Sequence, residues 1–266
     1  MIDPNVFAEL QNRGIITNVG LKAEDYKDID DLQRYGLATS IAADQVYDTI
    51  IEELVDMSAA KAAFLDAIKN GGKVVVDMDY TLDAPIEITK NVELDLNGHT
   101  LKSLVWDEDG DSNSYVFWVK SGTLTIIGDG EVVASDATYS MAVWVNGGNV
   151  VINGGTYKNG GDSCDLVYAS KKGDVTINAG TFVAAGPASG TVPGTKNPYS
   201  AINVKDANRT TCKVAVKGGK FFMFDPANNV SEGTNTNFVA EGFTSVAMDN
   251  WFVVRESEIV VDDQGE

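Results

Sequence analysis

The sequence predicts a mainly β fold, a right-handed single-stranded parallel β-helix, behind a small α-helical N-terminal module. Three observations predict it. Helical periodicity stops at Lys73 and short strand-like runs take over. A pattern of apolar-x-apolar, polar, small, small, Thr or Lys, then aromatic or aliphatic recurs through the second region. The copies are spaced as three short strands and three turns would be, with loops inserted where the interval grows.

The helical part comes first. Asn5 to Asn12 and Ala23 to Tyr35 read as amphipathic segments, the second with Tyr26, Ile29 and Leu32 on one face. A longer helix is expected after Thr39-Ser40, a fitting N-cap. Its Tyr47, Ile50, Ile51 and Leu54 fall at i, i+3, i+4 and i+7, one helical face. Ser58 reads as the cap of a separate short helix with Ala60, Phe64, Ala67 and Ile68 on one side, ended by Asn70-Gly71-Gly72. This divides the chain into residues 1–57 and a β-helix over 58–266, in which 58–70 caps the first coil and 218–266 form the last coil and tail.

The repeat copies are Leu94 to Leu101, Leu124 to Val132, Val150 to Tyr157, Val175 to Phe182 and Val214 to Phe221. Registered on the second apolar position they stand at 96, 126, 152, 177 and 216. Propeller blades require longer units, and leucine-rich repeats require leucines that are absent. Alternate apolar side chains point inward, and stacked coils share one core. Asn97, Asn153 and Asn178 are expected to form an amide ladder, and Tyr157, Phe182 and Phe221 an aromatic stack. Val105 to Ser114 and Ala185 to Pro198 read as protruding loops.

Thirty-nine acidic against 20 basic residues give a net charge of −19, which disfavours nucleic acid and anionic membrane as partners. Met1 to Pro4 has no basic or apolar leader, so no secretory signal is expected, and no apolar run is long enough for a membrane span. Cys164 and Cys212 follow no metal-ligand spacing and read as buried thiols.

Ala59 to Leu101 resembles the lead-in of pectate-lyase-like β-helix proteins: an Ala-rich helix, Gly-Gly, Lys73-Val74-Val75-Val76, then Val92 to Thr100. Gly218 to Asn228, with Thr236 to Val239 and Gly242-Phe243, resembles the last coil of β-helix proteins from Bacteroides-type gut bacteria and their phages. A short helical module before a β-helix is similar to phage spike, fibre and head-decoration proteins. That resemblance implies a non-enzymatic virion structural protein, made in the host bacterial cytoplasm. Residues 1–57 would dock on the virion, through the face of Tyr47, Ile50, Ile51 and Leu54, and the β-helix would project. Its partners would be other capsid or fibre proteins, a homo-oligomer (dimer or trimer) and a host or mucus glycan. The alternatives are a tailspike-type depolymerase and a noncatalytic glycan-binding module.

The search for chemistry yields few candidates. His99, the single histidine, takes the turn position that Gly155 and Gly219 hold in other copies, so it reads as a corner residue. The lyase basic residue and Ca²⁺-binding carboxylates map onto no matching positions: Arg13 and Arg34 fall in the helical part, Arg209 in an inserted loop and Arg255 near the C-terminus, none in the repeat core opposite a carboxylate cluster. Glu93, Asp95, Asp129 and Glu131 read as solvated outward residues, and Asp162 and Asp165 as a loop pair. Asp107, Asp109, Asp111 and Asn113 alternate like part of a Ca²⁺ loop but lack its glycine and distal Glu. No cofactor is expected. Trp118 and Trp144 occupy equivalent places, and alternation turns both outward, as an oligomer contact or a carbohydrate platform.

Overall fold

The computed structural model describes residues 7–8, 10–11, 42–104, 113–135, 139–159, 165–184, 200–229, 232–233 and 236–258. It divides into two compact units, Met1–Ala63 and Phe64–Glu266. In the first, Phe7, Ala8, Leu10 and Gln11 are helical, with Phe7 and Leu10 buried. Ala23 to Tyr35 lies outside the described residues. Helix α1 (Ala42–Asn70) is continuous, which corrects the expected break at Ser58. Ser58 is an exposed residue inside the helix. Its neighbours Met57, Ala59, Ala60 and Lys61 are good helix formers, and their propensity outweighs one serine's preference for a cap.

The second unit is mainly β, built on parallel strands. Among the described residues, one sheet has twelve strands and a second has five. The first set of the larger sheet is β1 (Gly72–Val75), β4 (Val92–Asp95), β7 (Thr123–Ile127), β10 (Asn149–Lys158), β12 (Asp174–Val183) and β14 (Val214–Val216). A second set joins β2 (Tyr80–Leu82), β5 (Thr100–Ser103) and β8 (Glu131–Val133) to the far halves of β10 and β12, then β15 (Gly219–Phe222). The other sheet has five strands, in order β3 (Ile86–Ile88), β6 (Asn113–Val119), β9 (Tyr139–Asn146), β11 (Val167–Ser170) and β13 (Ile202–Val204). The chain visits the two sheets in rotation, and among the described residues neither sheet closes on itself.

Alternation decides which side chains enter the core. One inward column runs Val74, Leu94, Ile126, Ile152, Ile177, Val216. A second runs Tyr80, Leu101, Val132, Tyr157, Phe182, Phe221, all buried. The aromatic stack forms as the repeat predicts. Tyr157 and Phe182 are 4.9 Å apart, and Phe182 and Phe221 4.7 Å, all nearly parallel. Phe64 of α1 stacks on Tyr80 at 4.6 Å, and Phe64 and Ile68 are buried in the same core.

The structure corrects the register of the first copy. Leu94, not Leu96, is the partner of Ile126. The first corner holds two more residues than those after Ile152: five separate Leu94 from Thr100, against three between Ile152 and Thr156. A slip of two residues keeps every apolar side chain on its original face, so the apolar pattern alone cannot detect it. The asparagine ladder shortens accordingly. Asn178 Nδ2 donates to Asn153 Oδ1 at 2.7 Å, but Asn97 adopts a left-handed backbone and donates to the Val76 carbonyl.

The later corners are tight. A Cβ on Gly218 would lie 2.1 Å from the Asn178 carbonyl oxygen, so a bare backbone is needed for the layers to approach. Beyond β14 one parallel bridge remains, Val216 with Val239, whereas beyond β15 the pairing turns antiparallel: β17 (Trp251–Glu256) pairs with β15, and β16 (Phe243–Met248) with β17. Among the described residues, no helix is long and apolar enough to cross a membrane.

Candidate functional site

The outward face of the five-stranded sheet carries one in-register column: Glu87, Trp118, Trp144, Tyr168 and Asn203. It faces outward because Ile86 and Ile88, Phe117 and Val119, Val143 and Val145, Val167 and Ala169, and Ile202 and Val204 all turn into the core. Trp118 and Trp144 lie face to face at 5.1 Å with planes 1° apart. Tyr115 meets both edge-on, at 5.9 and 5.0 Å.

Lys120 Nζ sits 3.7 Å from the Trp118 ring centre and also pairs with Glu87. A 5.1 Å ring spacing leaves no room for an ammonium between the indoles, so Lys120 covers the opposite face of Trp118. Both faces of that indole are thereby occupied. Trp144 Nε1 donates to Ser170 Oγ at 3.0 Å. Asn146 is the register partner of Ser170, so it stands one layer down in the same relation to Trp118. Trp118 Nε1 and Asn146 Oδ1 are buried and unpartnered among the described residues.

The far end of this face gathers carboxyls. Asp165 accepts hydrogen bonds from Ser200 Oγ and, at 2.9 Å, from Asn203 Nδ2. Burial pushes its carboxyl up from the ordinary 3.8 to about 6, against the pull of those two donors. Glu232, with its side chain 2% exposed, accepts the Val204 N–H at 3.2 Å and lies 3.4 Å from the Arg209 guanidinium. Burial raises it from 4.5 to about 7, outweighing the Val204 bond and Arg209, with the charges of Asp165 and Asp206 adding to the rise. Burial also raises the Tyr168 phenol, helped first by the Asp165 charge and then by Glu232. Burial thus raises the proton affinity of both carboxyls, Glu232 the more, and the Glu232 side chain is almost wholly covered among the described residues.

Other sequence candidates are placed as follows. His99 Nδ1 is 3.3 Å from Asp79 Oδ1, which also accepts the Thr100 N–H. Glu93 pairs with Lys73, and Glu131 with Lys158, each across neighbouring strands on outward faces. Cys212 is a buried free thiol, and Cys164 lies outside the described residues. Trp251 meets Phe222 edge-on at 5.3 Å. Asp107, Asp109, Asp111, Trp106 and Asp162 lie outside the described residues, as do the side chains of Tyr47, Ile50, Ile51 and Leu54. Asn113 starts β6 rather than ending a loop, and its neighbour Ser114 is buried against Ser103 at 2.8 Å. Among the described residues, no three His, Cys, Asp or Glu side chains converge as metal ligands.

Two features went unread in the sequence. Arg209, read as a residue of an inserted loop, meets both Asp206 and Glu232. Glu232 itself stood in no motif, and its partners lie 23 and 28 residues away. An open cleft of about 630 Å³ also follows the Asn153-Gly154-Gly155-Thr156 corner, lined further by residues such as Thr181 and Lys220. Comparison with protein-family models, with curated proteins and with solved structures found no match to this chain.

Proposed function

We propose that the chain is a right-handed parallel β-helix serving as a non-enzymatic structural protein of a virion, a phage head fibre or decoration protein. Residues 1–57 would be the docking and assembly part, and the stack the projecting part. Support for the winding comes from the rotation of the chain between two parallel sheets, with the same residue columns recurring in register. The last turns of α1 pack on the first layer and an antiparallel hairpin follows the last, so the parallel stack carries a different element at each end. Such ends suit a rod, because they limit edge-to-edge growth.

One observation carries the reading of the tryptophan pair as a packing contact rather than a sugar platform. Trp118 offers no open ring face: one side is taken by Trp144 and the other by Lys120, and Lys120 is taken by Glu87. A sugar platform needs an open ring face. A rigid ladder that offers ring edges suits a packing contact with another copy or a capsid protein.

Deletion of residues 1–57 tests the assignment. The remaining chain should stay soluble and be missing from purified particles by mass spectrometry; its incorporation would overturn the docking role. Release of reducing sugar from host capsule would overturn the non-enzymatic reading. Glycan-array binding lost on replacing Trp118 and Trp144 together would overturn the contact role.

A further inference from the structure

The twelve-stranded sheet ends on β16, which among the described residues pairs on one side only, with β17. Hydrogen-bond parity shows which groups face its free side. In an antiparallel pair, alternate residues exchange backbone bonds with the partner strand, and those between turn their groups the other way. The Ser257 N–H donates to the Gly242 carbonyl, so Gly242 and Ser257 form a bonded pair. Counting by twos along the register, Thr244 with Arg255, Val246 with Val253 and Met248 with Trp251 are bonded pairs too. The other side of β17 has the matching phase. Met223 N–H donates to the Asn250 carbonyl, which makes Phe221 with Phe252 and Gly219 with Val254 the bonded pairs toward β15. The backbone N–H and C=O groups of Ser245 and Ala247 therefore point away from β17, to the open edge.

The strand carries no guard on that edge. Phe243–Met248 reads Phe-Thr-Ser-Val-Ala-Met, without the charge or the proline that usually blunts an edge strand. Ala247 is exposed, and Met248 is 59% exposed. Other ends of the stack differ. Phe64 and Ile68 of α1 pack on the first layer, Val216 exchanges bonds with the Phe238 carbonyl and the Ala240 N–H, and Glu232 takes the Val204 N–H.

We propose that the β16 edge is a homodimer contact, in which β16 of two copies pair antiparallel about a twofold axis at Val246 and join their sheets into one. Parity is the first reason that the occupant is a second copy. With Val246 opposite Val246, Ser245 of each copy stands opposite Ala247 of the other. These are the residues whose backbone groups face outward, so each of the two pairs can exchange both of its bonds. Charge is the second reason. A net charge of −19 opposes the approach of two copies over most of their surface. The uncharged strand lets them meet without like charges directly opposite each other. On the face away from the core, pairing would also draw Val246 and Met248 together with the partly covered Trp251 and Val253, removing apolar surface from water. A twofold contact uses both free edges and closes at two copies, so it does not propagate. It lies on the other sheet from Trp118 and Trp144, and it holds or fails separately from the role proposed for them.

Sedimentation equilibrium of the full chain over a wide range of concentration, at physiological salt, tests the contact. The expected result is a monomer–dimer equilibrium with no larger species. Ser245→Pro removes an outward N–H from each copy and leaves the ladder to β17 whole, as edge strands allow. It should weaken association at least about tenfold, because two inter-copy bonds are lost. Val246→Lys and Val246→Glu should each be monomeric, since like charges then meet on the axis, and an equal mixture of the two should dimerise. Circular dichroism checks that each variant is folded; if Ser245→Pro is not, the Lys and Glu pair decides. A wild-type chain that stays monomeric throughout would overturn the proposal. If deletion of residues 259–266 then released a dimer, the edge would belong to the chain's own tail, which overturns it equally. A dimer that survives both Ser245→Pro and Val246→Lys would place the contact elsewhere, such as the Trp118 and Trp144 face. A Lys and Glu mixture that stays monomeric would refute the axis at Val246.

Discussion

Phe182 is the most exacting place to test the stacked core. It is fully buried and is sandwiched between Tyr157 at 4.9 Å and Phe221 at 4.7 Å. Truncation to alanine opens a cavity that the rigid layers cannot collapse into, and should cost about 3–5 kcal/mol. For a unit the size of Phe64–Glu266 this is a fall in Tm of about 6 to 20 °C. Phe182→Leu separates volume from ring geometry. It keeps most of the apolar volume but loses both ring pairs, each worth about 0.5–1.5 kcal/mol, for an expected cost of about 1–3 kcal/mol. A double-mutant cycle with Phe221→Leu should return a coupling of about 0.5–1.5 kcal/mol. The assay is urea denaturation followed by both circular dichroism and tryptophan fluorescence. Coincident transitions are required before a single free energy is quoted. A Phe182→Leu protein within about 0.5 kcal/mol of wild type, the range of an ordinary surface substitution, would refute the stacked column. A coupling of zero would refute it equally.

Two smaller substitutions probe the corner and the outer ladder. Gly218→Ala should destabilise by more than about 1 kcal/mol, read from the same denaturation curve, because its new methyl would overlap the Asn178 carbonyl. Lys120→Ala removes the ammonium from the Trp118 face and from Glu87, and should cost about 0.5–1 kcal/mol while changing tryptophan emission. An unchanged spectrum would place the ammonium away from the ring.

Much of the β region was legible because alternation has a period of two. Phe117 and Val119 beside Trp118, and Val143 and Val145 beside Trp144, assign the two indoles to one outward face without any knowledge of the neighbouring strands. The same logic places Tyr157, Phe182 and Phe221 in one column. Its blind spot is also a property of the period. A slip of two residues preserves every face, so Leu96 and Leu94 were equivalent to the pattern, and only the inter-strand hydrogen bonds chose Leu94. The continuous helix through Ser58 was ambiguous for a different reason. A serine serves at a cap or on an exposed helical face, and the local sequence carries both signals.

The candidate sites divide along the same line. The sequence by itself determined the strand-rich second region, the inward and outward faces, the recurrence of the aromatic column and the pairing of Trp118 with Trp144. Each of these depends on residues close together in the chain. Only the tertiary structure decided that Lys120 closes the second face of Trp118 and that Arg209 turns to Glu232. It alone brought Asp165 and Glu232 to grip the same edge strand. Those contacts join loops of unequal length from different layers, and no period in the chain encodes where such loops meet. The unusual proton affinities of Asp165 and Glu232 depend on burial, which arises only when the layers above and below exclude water.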